Sequence, residues 1–111
     1  MAEHPPTIST HVLDTALGAP RPGVRVRLWR AAGAAGERLD LVGDAVTDAD
    51  GRISDLLAGA PLEAGTYRLE FSLGDGFFAG LAADVRIDDA TRSHHVPLLL
   101  APFGLTTYRG S

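Results

Sequence analysis

Strict alternation of side chains constrains this chain more than any other feature. Val24-Arg25-Val26-Arg27-Leu28 alternates apolar and charged residues without a break, as do Thr66-Tyr67-Arg68-Leu69-Glu70-Phe71 and Ala83-Asp84-Val85-Arg86-Ile87. Successive side chains leave a β-strand on opposite faces, so a period of two buries one face and wets the other. The pattern predicts strands that bury Val24, Val26 and Leu28, and likewise Tyr67, Leu69 and Phe71. It leaves the arginines outside. Weaker runs at 7–13, 39–47, a short piece after Arg52, 92–100 and 105–109 complete the set.

Glycine and proline fall between these runs. Gly18-Ala19-Pro20-Arg21-Pro22-Gly23, Asp48-Ala49-Asp50-Gly51, Glu63-Ala64-Gly65, Gly74-Asp75-Gly76 and Ala101-Pro102-Phe103-Gly104 are turns, and 33–36 is a hairpin loop. About eight short strands at near-regular spacing predict an all-β sandwich of two sheets. With 111 residues the chain is expected to be one domain, 1–111, with a flexible N-terminus over residues 1–6. A domain of this size buries a modest share of its surface, so self-association would help to stabilise it.

Composition narrows the classes of function. The chain has no cysteine, which removes disulfides, thiolate metal sites and cysteine nucleophiles. All ten basic residues are arginine, they are scattered, and the net charge is −4. The short cluster Arg25, Arg27, Arg30 reads as a solvated strand face, and nucleic acid is not an expected partner. No apolar run approaches a membrane span or a leader h-region, so no membrane association and a cytoplasmic location are expected.

Three segments resemble a known family. Pro22-Gly23-Val24, Thr47-Asp48-Ala49-Asp50-Gly51-Arg52 and Gly65-Thr66-Tyr67 are similar to prealbumin-like modules in general, many of them non-catalytic. Ser9-Thr10-His11-Val12-Leu13-Asp14 is more specific and resembles the opening motif of the 5-hydroxyisourate hydrolases, within the transthyretin-like family. The seventeen residues from His95 to Ser111 resemble that group's terminal signature, down to Tyr108-Arg109-Gly110-Ser111. Alternation puts His11 opposite Ile8, Thr10 and Val12. It puts His95, Pro97 and Leu99 opposite a core-facing Val96, Leu98 and Leu100, with Thr106 and Tyr108 outward as well. Pro97 removes a ladder donor and marks an edge or an irregularity.

The resemblance implies a prealbumin-like (transthyretin-like) fold and a homotetramer, a dimer of dimers, whose central channel is lined by His11, Arg52, His95 and Tyr108. It implies hydrolysis of 5-hydroxyisourate in urate catabolism, with no metal and no cofactor. His11 and His95 would activate water and relay protons, since imidazole titrates near neutrality, and Arg52 would stabilise the developing negative charge. Tyr108 and Ser111 would bind substrate, with Arg109 and Thr106 in support.

The chain also departs from the family. The short helix after the strand 66–73 is expected to be missing or vestigial. Phe103-Gly104-Leu105-Thr106-Thr107-Tyr108 replaces the usual Tyr-Gly-Tyr-Ser-Thr-Tyr, and Ser93 stands where a first histidine is usual. The competing reading is a non-catalytic transthyretin-like module that holds a small ligand in the channel. A zinc site at His11, Asp14, His94 and His95 is disfavoured because adjacent strand residues face opposite ways. Ser9-His11-Asp14 has the residue types of a hydrolytic triad but no nucleophile elbow, and Thr7 and Ser9 read as ordinary strand residues.

Overall fold

The structure, a computed structural model, describes residues 5–111. The expected flexible leader therefore falls mostly outside the described residues. Two sheets face each other. The first is built around β1 (Ile8–Asp14), which pairs antiparallel with β2 (Ala19–Pro20) and β5 (Arg52–Ile53). It also pairs in parallel with β8 (His94–His95) and β9 (Leu98–Ala101), and β10 (Gly104–Thr107) closes that side on β9. The second sheet runs β4 (Arg38–Val46), β3 (Arg25–Ala32), β6 (Gly65–Ser72), β7 (Gly80–Ile87), antiparallel throughout.

The core forms where the period-two residues of both sheets meet. Ile8 and Val12 from β1 and Leu98 from β9 are fully buried against Val26, Leu28, Leu69 and Phe71. Each such side chain contributes about 1.5–3 kcal/mol by leaving water. Tyr67 is also buried, and its hydroxyl accepts the Glu63 N–H at 3.1 Å, so its polar end is satisfied. The outer face of the second sheet carries the expected arginines. Arg25 pairs with Asp44 at 2.7 Å, Arg27 lies 3.7 Å from Asp44 and from Glu70, and Arg68 pairs with Asp84 at 2.7 Å. At this exposure each pair adds little to stability.

Two details differ from the expected strands. The run 92–100 is broken in two at Val96 and Pro97, because proline has no N–H for the ladder. Threonine hydroxyls satisfy the carbonyls left over. Thr10 Oγ1 donates to Val96 O at 2.7 Å, and Thr107 Oγ1 donates to Pro97 O at 2.9 Å. Pro97 is buried rather than open to the outward side, since the C-terminal tail covers it. The second difference is β2, a two-residue strand within a segment read as turn, which brings the number of strands among the described residues to ten. Among the described residues there is no helix, and β6 passes to β7 through a short turn at 74–79, as the missing family helix implied.

Candidate active site

Asp48 builds the turn that presents Arg52. Its Oδ1 accepts the N–H groups of Asp50 and Arg52, both at 2.9 Å, and its backbone carbonyl accepts that of Gly51 at 2.9 Å. Gly51 closes the turn at φ 73°, where a Cβ would lie 2.5 Å from Val12 O. Only glycine fits that backbone without strain. The turn delivers Arg52 into β5 directly beside His11 of β1, the two being register partners.

His11 is fixed by one hydrogen bond. Its Nε2 lies 2.9 Å from Asp50 O. A carbonyl can only accept, so Nε2 carries the hydrogen and Nδ1 is the nitrogen left for chemistry. The same acidic turn therefore holds both His11 and Arg52.

His95 enters from the other side of β1. In the parallel ladder its register partner is Ser9, and Ser9 Oγ lies 2.8 Å from His95 Nδ1. Partial burial lowers the His95 pKa below the ordinary imidazole value, and the nearby Arg52 cation and His11 push it the same way. The ring is thus held neutral over a wider pH range than a free histidine. Ser93, at the position of the missing family histidine, caps β1 instead, its Oγ accepting the Thr7 N–H at 3.0 Å. His94 faces the opposite way and pairs with Ile8. Among the described residues no group of three metal-ligating side chains converges.

The C-terminal tail returns onto His95. Gly110 N donates to His95 O at 2.8 Å, and a Cβ on Gly110 would lie 2.6 Å from Cδ2 of the imidazole. The ring therefore packs directly on the backbone of the tail. Gly110→Ala should push the imidazole aside and lower kcat by roughly tenfold or more, measured beside a melting curve that shows the fold intact. Unchanged turnover would mean that the ring position does not matter.

Tyr108 and Arg109 line, with His94 and His95, a pocket of about 440 Å³ formed by residues 83–89, 94–96 and 107–109. Both are exposed, Tyr108 by 48 %. Thr106 pairs with Leu99 in the ladder and points outward, as alternation requires, and Ser111 is exposed at the end of the tail. The structure thus brings together His11, Arg52, His95 and the tail at Gly110, while Tyr108 and Arg109 line a pocket toward β7 that His95 shares and that includes neither His11 nor Arg52. Asp14 is occupied elsewhere, its Oδ1 accepting the N–H groups of Ala16 and Leu17 at 3.0 Å. Sequence reasoning read Ser9 as an ordinary strand residue, whereas the structure sets its hydroxyl 2.8 Å from His95 Nδ1. The hydroxyl-bearing position of Ser9 two residues before His11, on the same strand face, was the available signal.

Fold and site define a prealbumin-like sandwich that carries two histidines and an arginine on the outward face of one sheet. The HIUase/Transthyretin family model matches residues 8–110, and the chain belongs to that family. It is 40% identical over 116 residues to the 5-hydroxyisourate hydrolase of Caulobacter vibrioides, covering 94% of this chain and 97% of that one. The solved structure of Klebsiella pneumoniae 5-hydroxyisourate hydrolase superposes with a TM-score of 0.81 at 37% identity, covering 96% of this chain and 99% of that one. Sea bream transthyretin in complex with thyroxine superposes with a TM-score of 0.82 at 26% identity, covering 93% of each chain.

Proposed function

We propose that this chain hydrolyses 5-hydroxyisourate to 2-oxo-4-hydroxy-4-carboxy-5-ureidoimidazoline, a step of urate breakdown. The observation that carries this reading is the convergence of a neutral-biased His95, a His11 with Nδ1 free, and Arg52 on one sheet face. Relatives of that name at this identity and coverage support it.

In the reaction His95 takes a proton from water as it adds to the ring carbonyl. The side-chain N–H groups of Arg52 stabilise the oxyanion that forms. The C–N bond then breaks as the proton that His95 took passes to the free Nδ1 of His11 and from there to the departing nitrogen, and the carbonyl carbon becomes a carboxylic acid that loses its proton to solvent. A neutral base beside a second imidazole suits this division, because the two rings stand in different environments. Tyr108 and Ser111 hold the substrate, and Arg109 and Thr106 shape the wall behind them.

On a single chain Arg52, Thr106, Tyr108 and Ser111 all remain exposed, too open a face to exclude water from a reacting ring. This face packs against a copy of itself in a homotetramer, and the channel between copies closes the site. The test is the decay of 5-hydroxyisourate freshly generated from urate, run beside sedimentation analysis. Decay well above the spontaneous rate, from a tetramer, is the expected result. A folded tetramer with no acceleration would favour the ligand-binding reading, and a fully active monomer would remove the channel.

A further inference from the structure

We propose that Ser9 is a positioning residue for this hydrolysis: its hydroxyl accepts the Nδ1–H of His95 and so leaves the Nε2 electron pair of that ring for water. The inference rests on the base role assigned to His95 above, and it deepens that role by naming the tautomer and what sets it.

The geometry is specific. Ser9 and His95 are register partners in the one parallel pairing that joins β1 to β8, and Oγ lies 2.8 Å from Nδ1. The backbone on either side is fixed, with Val96 N donating to Ser9 O at 2.9 Å and Thr10 Oγ1 donating to Val96 O at 2.7 Å. Gly110 closes the ring from the tail side. His95 therefore cannot turn its Nδ1 outward without displacing a neighbour, and Nε2 is the nitrogen that can meet a water.

A neutral imidazole carries one hydrogen, and the partner of one nitrogen decides where it lies. A serine hydroxyl can donate to Nδ1 or accept from it, and only the second arrangement leaves Nε2 free as a base. His11 shows the opposite arrangement, because the Asp50 carbonyl can only accept and so keeps the hydrogen on Nε2. Two histidines on one sheet face thus leave opposite ring nitrogens, Nδ1 of His11 and Nε2 of His95, outside these bonds. The groups that act on His95 from around it are Ser9 and His11 of β1, Arg52 of β5 and the tail at Gly110, with Tyr108 and Arg109 on the adjoining wall. Asp84, Asp88 and Asp89 line the same pocket, but none of them is among the causes that shift His95. The group on its Nδ1 is an uncharged hydroxyl, which orients the ring without stabilising imidazolium. An aspartate there would raise the pKa of the base, whereas serine leaves it low.

The experiment compares the parent with Ser9→Ala and Ser9→Thr, by turnover across pH and by nitrogen NMR of histidine-labelled protein, with His95→Ala assigning the signal. The parent should show His95 neutral with Nδ1 protonated. Ser9→Ala should lower kcat roughly tenfold with KM nearly unchanged, and its His95 signal should move toward a mixture of tautomers. Ser9→Thr keeps the hydroxyl and should restore both. Hydrogen found on Nε2 in the parent, full kcat in Ser9→Ala, or equal losses in the alanine and threonine variants would each overturn the proposal. The NMR reading needs no turnover, so a parent that fails to hydrolyse 5-hydroxyisourate would sink the base role while the Ser9–His95 tautomer was still read directly.

Discussion

Replacing His95 by alanine should slow the enzymatic hydrolysis of 5-hydroxyisourate by about 10²- to 10⁴-fold, the usual contribution of a positioned acid–base group. The loss should fall on kcat more than on KM, because proton transfer from water develops only in the transition state. His95 is half-buried and its backbone, rather than its side chain, joins the ladders to Ser9 and Gly110. The variant should therefore fold and assemble, with a melting temperature within a few degrees of the parent. Turnover is read as the rate above spontaneous decay, so the parent and the variant are compared in the same urate-derived substrate. A His95→Ala protein with parental kcat would remove His95 from the mechanism and leave the proton transfers to His11.

The parts of the fold legible in the sequence are those set by neighbours two apart. Ile8, Thr10 and Val12 alternate with Ser9, His11 and Leu13, and the structure buries the first three and turns the others outward. The same holds for Val24, Val26 and Leu28, and for Tyr67, Leu69 and Phe71. Pro97 gave warning of the break in the last long run, but not that its ring would be covered, since the cover comes from a tail thirteen residues further on. β2 escaped notice because two residues are too few to show a period. The site is harder still to see. His11 and His95 could be marked as outward-facing, yet the contact between Ser9 and His95 joins residues 86 positions apart. Only the parallel pairing of β1 with β8 creates it. Alternation predicts the face of a side chain and says nothing of which strand lies beside it.

Arg52→Ala should combine a large loss of activity with a movement of the pH profile, and the pair of effects is more diagnostic than either. Removing a donor aimed at developing negative charge costs about 10²–10³ in kcat. The pH effect follows from the charge on His95. A base works only when deprotonated, so activity falls as pH drops through its pKa. Burial, the Arg52 cation and His11 all disfavour the imidazolium and place that acid limb below the ordinary imidazole value. Taking away the Arg52 cation relieves one of the three, so the pKa of His95 rises and the limb moves to higher pH. It should stay below the ordinary value, because burial is the largest cause and remains. Arg52→Lys separates the two effects. Lysine keeps the charge and so holds the limb near its parental position, but it loses the planar fork of donors and should recover only part of the rate. Arg52 is exposed, and its backbone alone is tied to Asp48, so neither variant should change stability by more than about 0.5 kcal/mol. An Arg52→Ala protein with parental kcat and an unmoved acid limb would show that the guanidinium reaches neither the oxyanion nor His95. A moved limb with parental kcat would leave Arg52 acting only through the histidine.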